Sequence, residues 1–280
     1  MSSPSSGWRD RISRLIRDNS GHALSPIARS LHTLSIHATG FGTAQLPVGL
    51  SGERRLLELL RHARAPTIFD VGAFRGDYAA MARSVLPRAV IHCFEPGQTG
   101  LPQLHRLAQE ADLRVHDLAL AGAAGQETLH SDPDTPTMAS LHPGALAALG
   151  GTPTQHQLVE ATTIDVFCDE HAIRRVDLLK IDTEGTEIDV LRGAARMIGE
   201  RAVGIIQFEF GYGDVATRTF LRDFYDILER SYTLHRIAPR GLITLGEYDL
   251  ALEVFVGATN YAALPRREVG HTAAGAIRSA

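Results

Sequence analysis

The stretch VDLLKIDTEGTEIDVLRGA, residues 176–194, decides the fold. It predicts a buried strand that ends in acidic residues, followed by a glycine turn and a helix. Lys180 and Asp182 are two positions apart, so they share one face of an extended strand. A charged pair on an apolar strand is costly unless both groups have partners. Because ligands bind at the carboxyl ends of strands in open α/β sheets, this segment predicts part of an active site.

Strand and helix patterns alternate on both sides of this stretch. Strands are predicted in TIFDVGA, AVIHCFEP, LRVHDLALA and VGIIQFEF, and helices in GDYAAMARSVL and LPQLHRLAQEA. The segments YTLHRIAP, GLITLG and LEVFVGA predict a closing antiparallel pair or meander. Such alternation is typical of an α/β fold with a mostly parallel sheet and helices on both faces.

The 280 residues suit one large domain with extensions, or at most two domains. Residues 1–60 predict a helical arm or lid, with helices in SSGWRDRISRLIRD and SGERRLLELLRHA. Residues 61–262 are the expected main domain, and residues 263–280 a flexible tail. Residues 121–158 are rich in Gly, Pro, Thr and Ser, and predict either a variable insertion near the ligand or a disordered surface loop.

Composition excludes several classes of partner. Hydrophobic residues make up 44% of the chain and the formal net charge is −4, so a sizeable core is expected and no basic stripe favours nucleic acid or a membrane surface. The two cysteines, Cys93 and Cys168, fall in apolar patterns and predict reduced core residues. No apolar run approaches a membrane span, and we expect a cytoplasmic location. Oligomeric state is left open.

The segment TIFDVGAFRGDYAA places Asp70, Gly72 and Gly76 between a strand and a helix. Gly72 allows a tight turn, and Gly76 would let the backbone approach a ligand. The order is G-x-x-x-G, whereas the dinucleotide fingerprint needs G-x-G-x-x-G. The next strand ends in Glu95, an acid suited to ribose hydroxyls. Together these features indicate an adenosine ligand without a diphosphate, and S-adenosylmethionine fits.

The chain resembles FkbM-type methyltransferases, which are class I S-adenosylmethionine-dependent O-methyltransferases. The resemblance runs from Pro66 to Gly257. It is carried by FDVGAFRGDYA, HCFEP, DLALAG, MASL, ATTID, LLKIDTEGTEIDVLRGA and IIQFEF.

The resemblance implies a Rossmann-like sheet of about seven strands with an antiparallel final hairpin. It implies that Asp70, Gly72, Ala73 and Gly76 form the cofactor loop, that Glu95 binds ribose, and that Asp117 or its neighbours lie near adenine. The family's loop reads closer to D-V-G-A-N-x-G, whereas Phe74 and Arg75 stand here in place of the polar pair.

The acidic strand tip suggests how a hydroxyl acceptor is activated. An aliphatic hydroxyl is a poor nucleophile until its proton leaves, and a positioned base accelerates the reaction by about 10²- to 10⁴-fold. Asp182 is the first candidate for this base, with Lys180 beside it to hold it ionised or to orient the acceptor. Glu184 and Glu187 are candidates for binding sugar-like hydroxyls, and Glu209 at the next strand tip is expected to lie adjacent.

Alternatives remain open at this point. His116, His142 or His235 is an alternative base, and Glu187 is equally well explained as a first-turn helix acid. No metal is expected, because the acids lack a clear third ligand. The preferred function is methyl transfer to a hydroxyl of a small molecule, a sugar or glycosylated natural product. The competing functions are those of an NAD-linked oxidoreductase and a non-catalytic cofactor-binding protein.

Overall fold

The N-terminal part of the described chain is helical. The computed structural model describes residues 11, 14, 25–47, 49–135, 137–253 and 257–266. Helix α1 spans Ser25–Ala38, a short 3₁₀ helix spans Thr43–Gln45, and helix α2 spans Arg54–Leu59. Helix α1 was not predicted from the sequence. Most of the helix that was predicted in SSGWRDRISRLIRD lies outside the described residues.

Strands and helices alternate from residue 67 onward. The first of them are β1 (Thr67–Val71), α3 (Asp77–Val85), β2 (Val90–Phe94), α4 (Leu101–Ala111), β3 (Arg114–His116), β4 (Ala119–Leu120), β5 (Gly125–Ser131), α5 (Pro143–Ala148) and β6 (Gln155–Thr162). The next are α6 (Ile164–Glu170), β7 (Val176–Ile181), α7 (Glu187–Arg192), α8 (Ala195–Gly199), β8 (Val203–Phe210), α9 (Tyr212–Ala216) and α10 (Leu221–Leu228). The last are β9 (Tyr232–Ala238), β10 (Gly241–Thr244), a 3₁₀ helix (Leu250–Glu253) and β11 (Thr259–Pro265).

The main sheet has eight strands in the order β10-β9-β11-β8-β7-β1-β2-β3. The run from β8 through β7, β1 and β2 to β3 is parallel. Strand β11 is antiparallel to both β8 and β9, and β10 is antiparallel to β9. The predicted α/β fold with a mostly parallel sheet is confirmed. The predicted number of about seven strands is one too low, because β10 adds an edge strand next to β9.

The predicted third strand, LRVHDLALA, is divided between two sheets. Strand β3 pairs with β2 in the main sheet, whereas β4 pairs with β6 in a second sheet of order β4-β6-β5. The chain leaves the main sheet between them, at Asp117 and Leu118. The segment 121–158, where we expected a variable insertion, contains β5, α5 and the start of β6.

The closing strand lies later in the chain than predicted. Leu252 and Glu253 of LEVFVGA belong to a 3₁₀ helix, residues 254–256 lie outside the described part of the chain, and the closing strand that the structure describes is β11. Its central residues Tyr261–Ala263 are fully buried, because β11 is paired on both sides, with β8 and β9. The strand continues through Pro265, so it takes in the first residues of the predicted tail.

Helices cover both faces of the main sheet, as predicted. On one face α6, α7, α8 and α10 pack against Phe69, Leu179 and Phe208. On the other face α2, α3 and α4 pack against Ile68 and Leu178. The central strands are therefore apolar on both sides, which explains their continuous apolar sequences. Within the described ranges, none of the helices has the length and hydropathy needed to cross a membrane.

Candidate active site

Two rows of polar side chains cross the main sheet near the carboxyl ends of its central strands. The strand register aligns the inner row, which consists of Asp70, Lys180 and Gln207. The outer row, two residues further along, consists of Asp182, Glu209 and Asn260. Glu209 pairs directly with Asn260 across β8 and β11. Since side chains two positions apart share a face, both rows lie on the face covered by α2 and α3.

Lys180 is the charged centre of the inner row. Its Nζ lies 3.3 Å from Asp70 Oδ1 and 3.2 Å from Asp182 Oδ2, and 5.5 Å from the centre of the Tyr78 ring. Burial opposes the charge on Lys180, but the negative charges of Asp182 and Asp70 outweigh burial and raise the pKa of Lys180. Burial also raises the pKa of Asp70, against the effect of Lys180. The Lys180 ammonium therefore bridges the two carboxylates and stays charged.

The N-terminal segment is attached to this row by hydrogen bonds. Gln207 donates from Nε2 to Glu53 and accepts from the Tyr78 hydroxyl at 3.2 Å. The Ser51 hydroxyl donates to Glu53. Glu53 is buried, and burial raises the pKa of its carboxyl group. This network fixes the segment that precedes α2 over the outer row.

A cleft of about 600 Å³ opens at the carboxyl edge of the sheet. Its walls come from Gly72 and Phe74, the segment 95–100, strands β4, β5 and β6, and the loop 182–186. Glu95 and Asp182 both line it, so the tips of β2 and β7 face one cavity. Gln157 joins the walls, because its Nε2 donates to the Pro96 carbonyl at 3.0 Å.

Glu95 is a buried carboxylate held by backbone amides. The Phe74 N–H donates to Oε2 at 2.8 Å and the Gly97 N–H donates to Oε1 at 2.7 Å. Burial raises the pKa of Glu95, and these two hydrogen bonds oppose the rise. A carboxylate has about four lone-pair sites, so each oxygen retains a site for a ligand hydroxyl.

The turn after β1 is tightly packed. Gly72 has a φ of 74°, and a Cβ at this position would overlap the carbonyl oxygen of Asp182. Gly76, with a φ of 89°, serves a different purpose from the one we expected, because a Cβ there would lie 2.9 Å from Leu104 Cδ1 and 2.6 Å from Leu107 Cδ2. Gly76 therefore permits close packing of α3 against α4, and it lines neither cavity.

Glu187 fixes the loop 182–186, which follows β7 and carries Asp182 and Glu184. Its Oε1 accepts from the Thr183 N–H at 2.6 Å and from the Thr183 hydroxyl at 3.0 Å, and its Oε2 accepts from the Gly185 N–H at 2.8 Å. Glu184, between these two, has a left-handed φ of 57° and lines the large cleft. Burial, and then the charges of Asp182 and Glu187, raise the pKa of Glu184 well above its ordinary value.

A second, smaller cavity of about 160 Å³ lies on the other side of Gly72 and Asp182. It is lined by Lys180, Glu209 and Asn260 from the sheet. Its remaining lining residues come from the N-terminal segment and the β1–α3 region, and these are Ala44, Leu46, Glu53, Ala73, Phe74, Arg75, Asp77 and Tyr78. Gly72, Phe74 and Asp182 line both cavities, so they form the partition between them.

Several predicted candidates lie elsewhere. Asp117 is half-exposed and pairs with His105 at 2.9 Å, outside the lining of both cavities. His116 stacks on His92, where burial lowers the pKa of His116 to about 4. His142 caps α5, and His235 contacts Thr244. Among the described residues, no group of three or more His, Cys, Asp or Glu is arranged to hold a metal ion.

Three residues of the site were not predicted from the sequence. Asn260 lies in β11, whereas the closing strand was predicted earlier in the chain. Its position in the sequence therefore gave no indication that its side chain reaches the site. Glu53 lies in a helix-like segment and reaches the sheet only through tertiary packing. Phe74 has a left-handed φ of 45° and lies on the partition between the two cavities. The sequence indicated its importance only through the replacement of a polar residue in the family's cofactor loop.

The comparisons with known proteins agree on one family. The methyltransferase FkbM domain family matches residues 70–232. The chain is 25% identical over 154 residues to 2-O-methyltransferase NoeI of Sinorhizobium fredii (strain NBRC 101917 / NGR234), covering 51% of this chain and 63% of that protein. It is 29% identical over 156 residues to 31-O-demethyl-FK506 methyltransferase FkbM of Streptomyces tacrolimicus, covering 45% and 58%. The chain thus spans about three fifths of the length of these relatives.

Solved structures also resemble this chain. Methyltransferase FkbM from Methylobacillus flagellatus KT is 17% identical, with a TM-score of 0.46, and the match covers 71% of this chain and 43% of that one.

Proposed function

Because the chain belongs to the FkbM methyltransferase family, we propose that it is an S-adenosylmethionine-dependent O-methyltransferase. Its acceptor is a hydroxyl group of a small molecule, a sugar or glycosylated natural product. The observation that carries this proposal is the large cleft, where the Gly72 turn and the buried Glu95 lie at the tips of adjacent parallel strands and Asp182 lies at the next tip.

The residues of the cleft fit the cofactor. A volume of about 600 Å³ lies within the range of about 300–1,000 Å³ usual for ligand sites. Glu95 has acceptor sites left for the two ribose hydroxyls. Leu120 and Leu129 give apolar surface for adenine, in place of Asp117. The turn at Gly72 and Phe74 brings backbone close to the position suited to the methionine end.

The bound cofactor supplies an electrophilic methyl group on a sulfonium. The protein orients the acceptor, removes its proton and keeps water out, and orientation alone supplies about 7–11 kcal/mol in well-aligned cases. The acidic outer row provides the proton acceptor. The ion pairs of Lys180 with Asp70 and Asp182 connect the outer row to the inner row and hold Asp182 in place.

The acceptor class is supported by the chemistry of the site and by the names of the relatives. The carboxylates and the amide of the outer row accept and donate hydrogen bonds to hydroxyl groups. Both relatives are named as methyltransferases, and both names specify an oxygen.

Calorimetry and an isotope assay test the proposal. Binding of S-adenosylmethionine and S-adenosylhomocysteine is expected, and binding of NAD is not. Incubation with methyl-labelled S-adenosylmethionine and a panel of methyl pyranosides should then transfer the label to an oxygen. NAD binding without S-adenosylmethionine binding would favour an oxidoreductase, and cofactor binding with no transfer to any hydroxyl compound would favour a non-catalytic role.

A further inference from the structure

We infer that the smaller cavity is the acceptor pocket, that it admits one ring-sized polyhydroxylated group, and that Glu209 is the base that takes the proton from the reacting hydroxyl. This inference rests on the proposed function, which leaves both the place of the acceptor and the base open. It is built from the partition between the two cavities, the hydrogen bonding of the outer row and the size of the smaller cavity.

The partition sets where the two reactants meet. Gly72, Phe74 and Asp182 border both cavities, so a donor in the large cleft and an acceptor in the small one approach each other at these residues. Gly72 has no side chain, and the Asp182 side chain is turned toward Lys180. Gly72, Phe74 and Asp182 therefore lie between the two reactants.

Glu209 is better suited than Asp182 to remove a proton. Asp182 Oδ2 lies 3.2 Å from the Lys180 ammonium, so this oxygen already has a partner and is not free to take a hydroxyl proton. The Glu209 carboxylate lines the small cavity, and among the described residues none donates a hydrogen bond to it. Burial, and then the charges of Asp182 and Glu184, raise the pKa of Glu209 well above its ordinary value. A carboxylate whose pKa is raised toward the working pH is a stronger base for a hydroxyl proton in its ionised form.

The remaining lining residues favour a neutral group rich in hydroxyls. Asn260, directly opposite Glu209 on β11, both donates and accepts hydrogen bonds. Phe74 and Tyr78 add aromatic surface. A cavity of about 160 Å³ is close to the ~150 Å³ of a cavity that holds benzene, so it admits one ring, and the substituents of that ring must extend outward past Leu46.

The transfer step balances without any further reactant. The Glu209 carboxylate takes the hydroxyl proton, and the acceptor oxygen forms a bond to the methyl carbon. The bond between that carbon and sulfur breaks, and its electron pair stays on sulfur. The products are a methyl ether, S-adenosylhomocysteine and a protonated Glu209, which loses its proton to solvent before the next turnover.

Two variants test the pocket and the base separately. Leu46→Trp fills the mouth of the small cavity, and Leu50→Trp is its matched control, since Leu50 is exposed in the same segment and lines neither cavity. Saturation-transfer NMR with methyl α-D-glucopyranoside, methyl α-D-mannopyranoside and methyl β-D-galactopyranoside, in the presence of S-adenosylhomocysteine, reports acceptor binding without turnover. Glu209→Gln tests the base through the pH profile of kcat.

Leu46→Trp is expected to change acceptor binding, and Glu209→Gln is expected to change turnover. Leu46→Trp loses the pyranoside signal and binds S-adenosylhomocysteine as the wild type does, whereas Leu50→Trp keeps both. Glu209→Gln lowers kcat by about 100-fold or more, and removes the acidic limb of the pH profile, with KM for the cofactor little changed.

Other outcomes overturn the inference while the proposed function stands. If S-adenosylmethionine binds and a hydroxyl is methylated, but Leu46→Trp leaves pyranoside binding intact, the acceptor lies elsewhere. An unchanged acidic limb in Glu209→Gln removes Glu209 as the base. Absence of a signal from every pyranoside with the wild type rejects the ring-sized polyol. Failure of the cofactor itself to bind would instead refute the proposed function.

Discussion

Gly72 and Asp182 meet backbone to backbone at the tips of β1 and β7. Gly72 has a left-handed φ of 74°, and its α-carbon leaves no space for a side chain next to the Asp182 carbonyl. The Asp182 N–H in turn donates to the Val71 carbonyl at 3.1 Å. The two tips are thus held together at the partition between the cavities.

Substitution of Gly72 tests this contact. Gly72→Ala is expected to weaken binding of S-adenosylhomocysteine at least about tenfold, because the new Cβ forces the tips apart and strains the backbone. Calorimetry measures the affinity. Gly199→Ala is the control, since a Cβ at Gly199 meets nothing within 4 Å, and its affinity should match the wild type.

Neutralisation of Glu95 tests the cofactor site. In Glu95→Gln one oxygen becomes an amide nitrogen, which cannot accept from the Phe74 or Gly97 N–H, and a buried donor left unpaired costs about 1–3 kcal/mol. The same nitrogen cannot accept from a ribose hydroxyl, so affinity for S-adenosylhomocysteine should fall by about tenfold or more. The exposed Glu110→Gln gives the reference, and equal affinity of the two variants would contradict a ribose contact.

Removal of the Lys180 charge tests the inner row. Lys180→Met leaves the fully buried Asp70 without its ionic partner, and loss of one member of a buried pair costs about 3–5 kcal/mol. Urea unfolding should show this loss, and Lys180→Met with Asp70→Asn should recover part of it. No recovery in the double variant would mean that the two charges are not coupled.

Asp182→Asn separates orientation from proton removal. We expect turnover to fall at least about tenfold while cofactor affinity survives, because the ion pair with Lys180 is lost. The pH profile should keep its acidic limb, since Glu209 remains. Disappearance of that limb in Asp182→Asn would return Asp182 to the role of base.

Asp214 gives a prediction about pH and stability. The Gly211 N–H donates to its Oδ2 at 2.9 Å, and its buried Oδ1 has no donor among the described residues. Burial, and then the charge of Glu187, raise the pKa of Asp214 well above its ordinary value. The folded protein therefore retains a proton that the unfolded chain has lost, and stability falls as pH rises toward the folded pKa.

Asp214→Asn should remove this dependence. The amide of the variant stays neutral at every pH, so its melting temperature should exceed that of the wild type near pH 8, and the difference should shrink near pH 5, where more wild-type Asp214 is protonated. Glu209, whose pKa the charge of Asp214 also raises, is present in both proteins, so the difference reports Asp214 together with its effect on Glu209. A difference that is independent of pH would argue against titration of Asp214.

The strand tips were predictable because their signals are local. Lys180, Asp182 and Glu95 each follow an apolar run, and the alternation of strands and helices gave the α/β class. Strand β11 and the divided strand β3–β4 were not predictable, because pairing with distant strands decides where they begin. The small cavity needs Glu53, Tyr78 and Asn260, which only the folded chain brings together.

The second sheet has a consequence for how such proteins diversify. Its strands β4 and β6 are paired at Ala119–Ala161 and Leu120–Thr162, so the chain departs and returns at neighbouring points. The described residues between these points, 121–135 and 137–160, border the large cleft without contributing a strand to the main sheet. Because both ends of this segment are fixed by the same pair of strands, chimaeras joined at these two points should replace one wall of the large cleft and leave the main sheet unchanged.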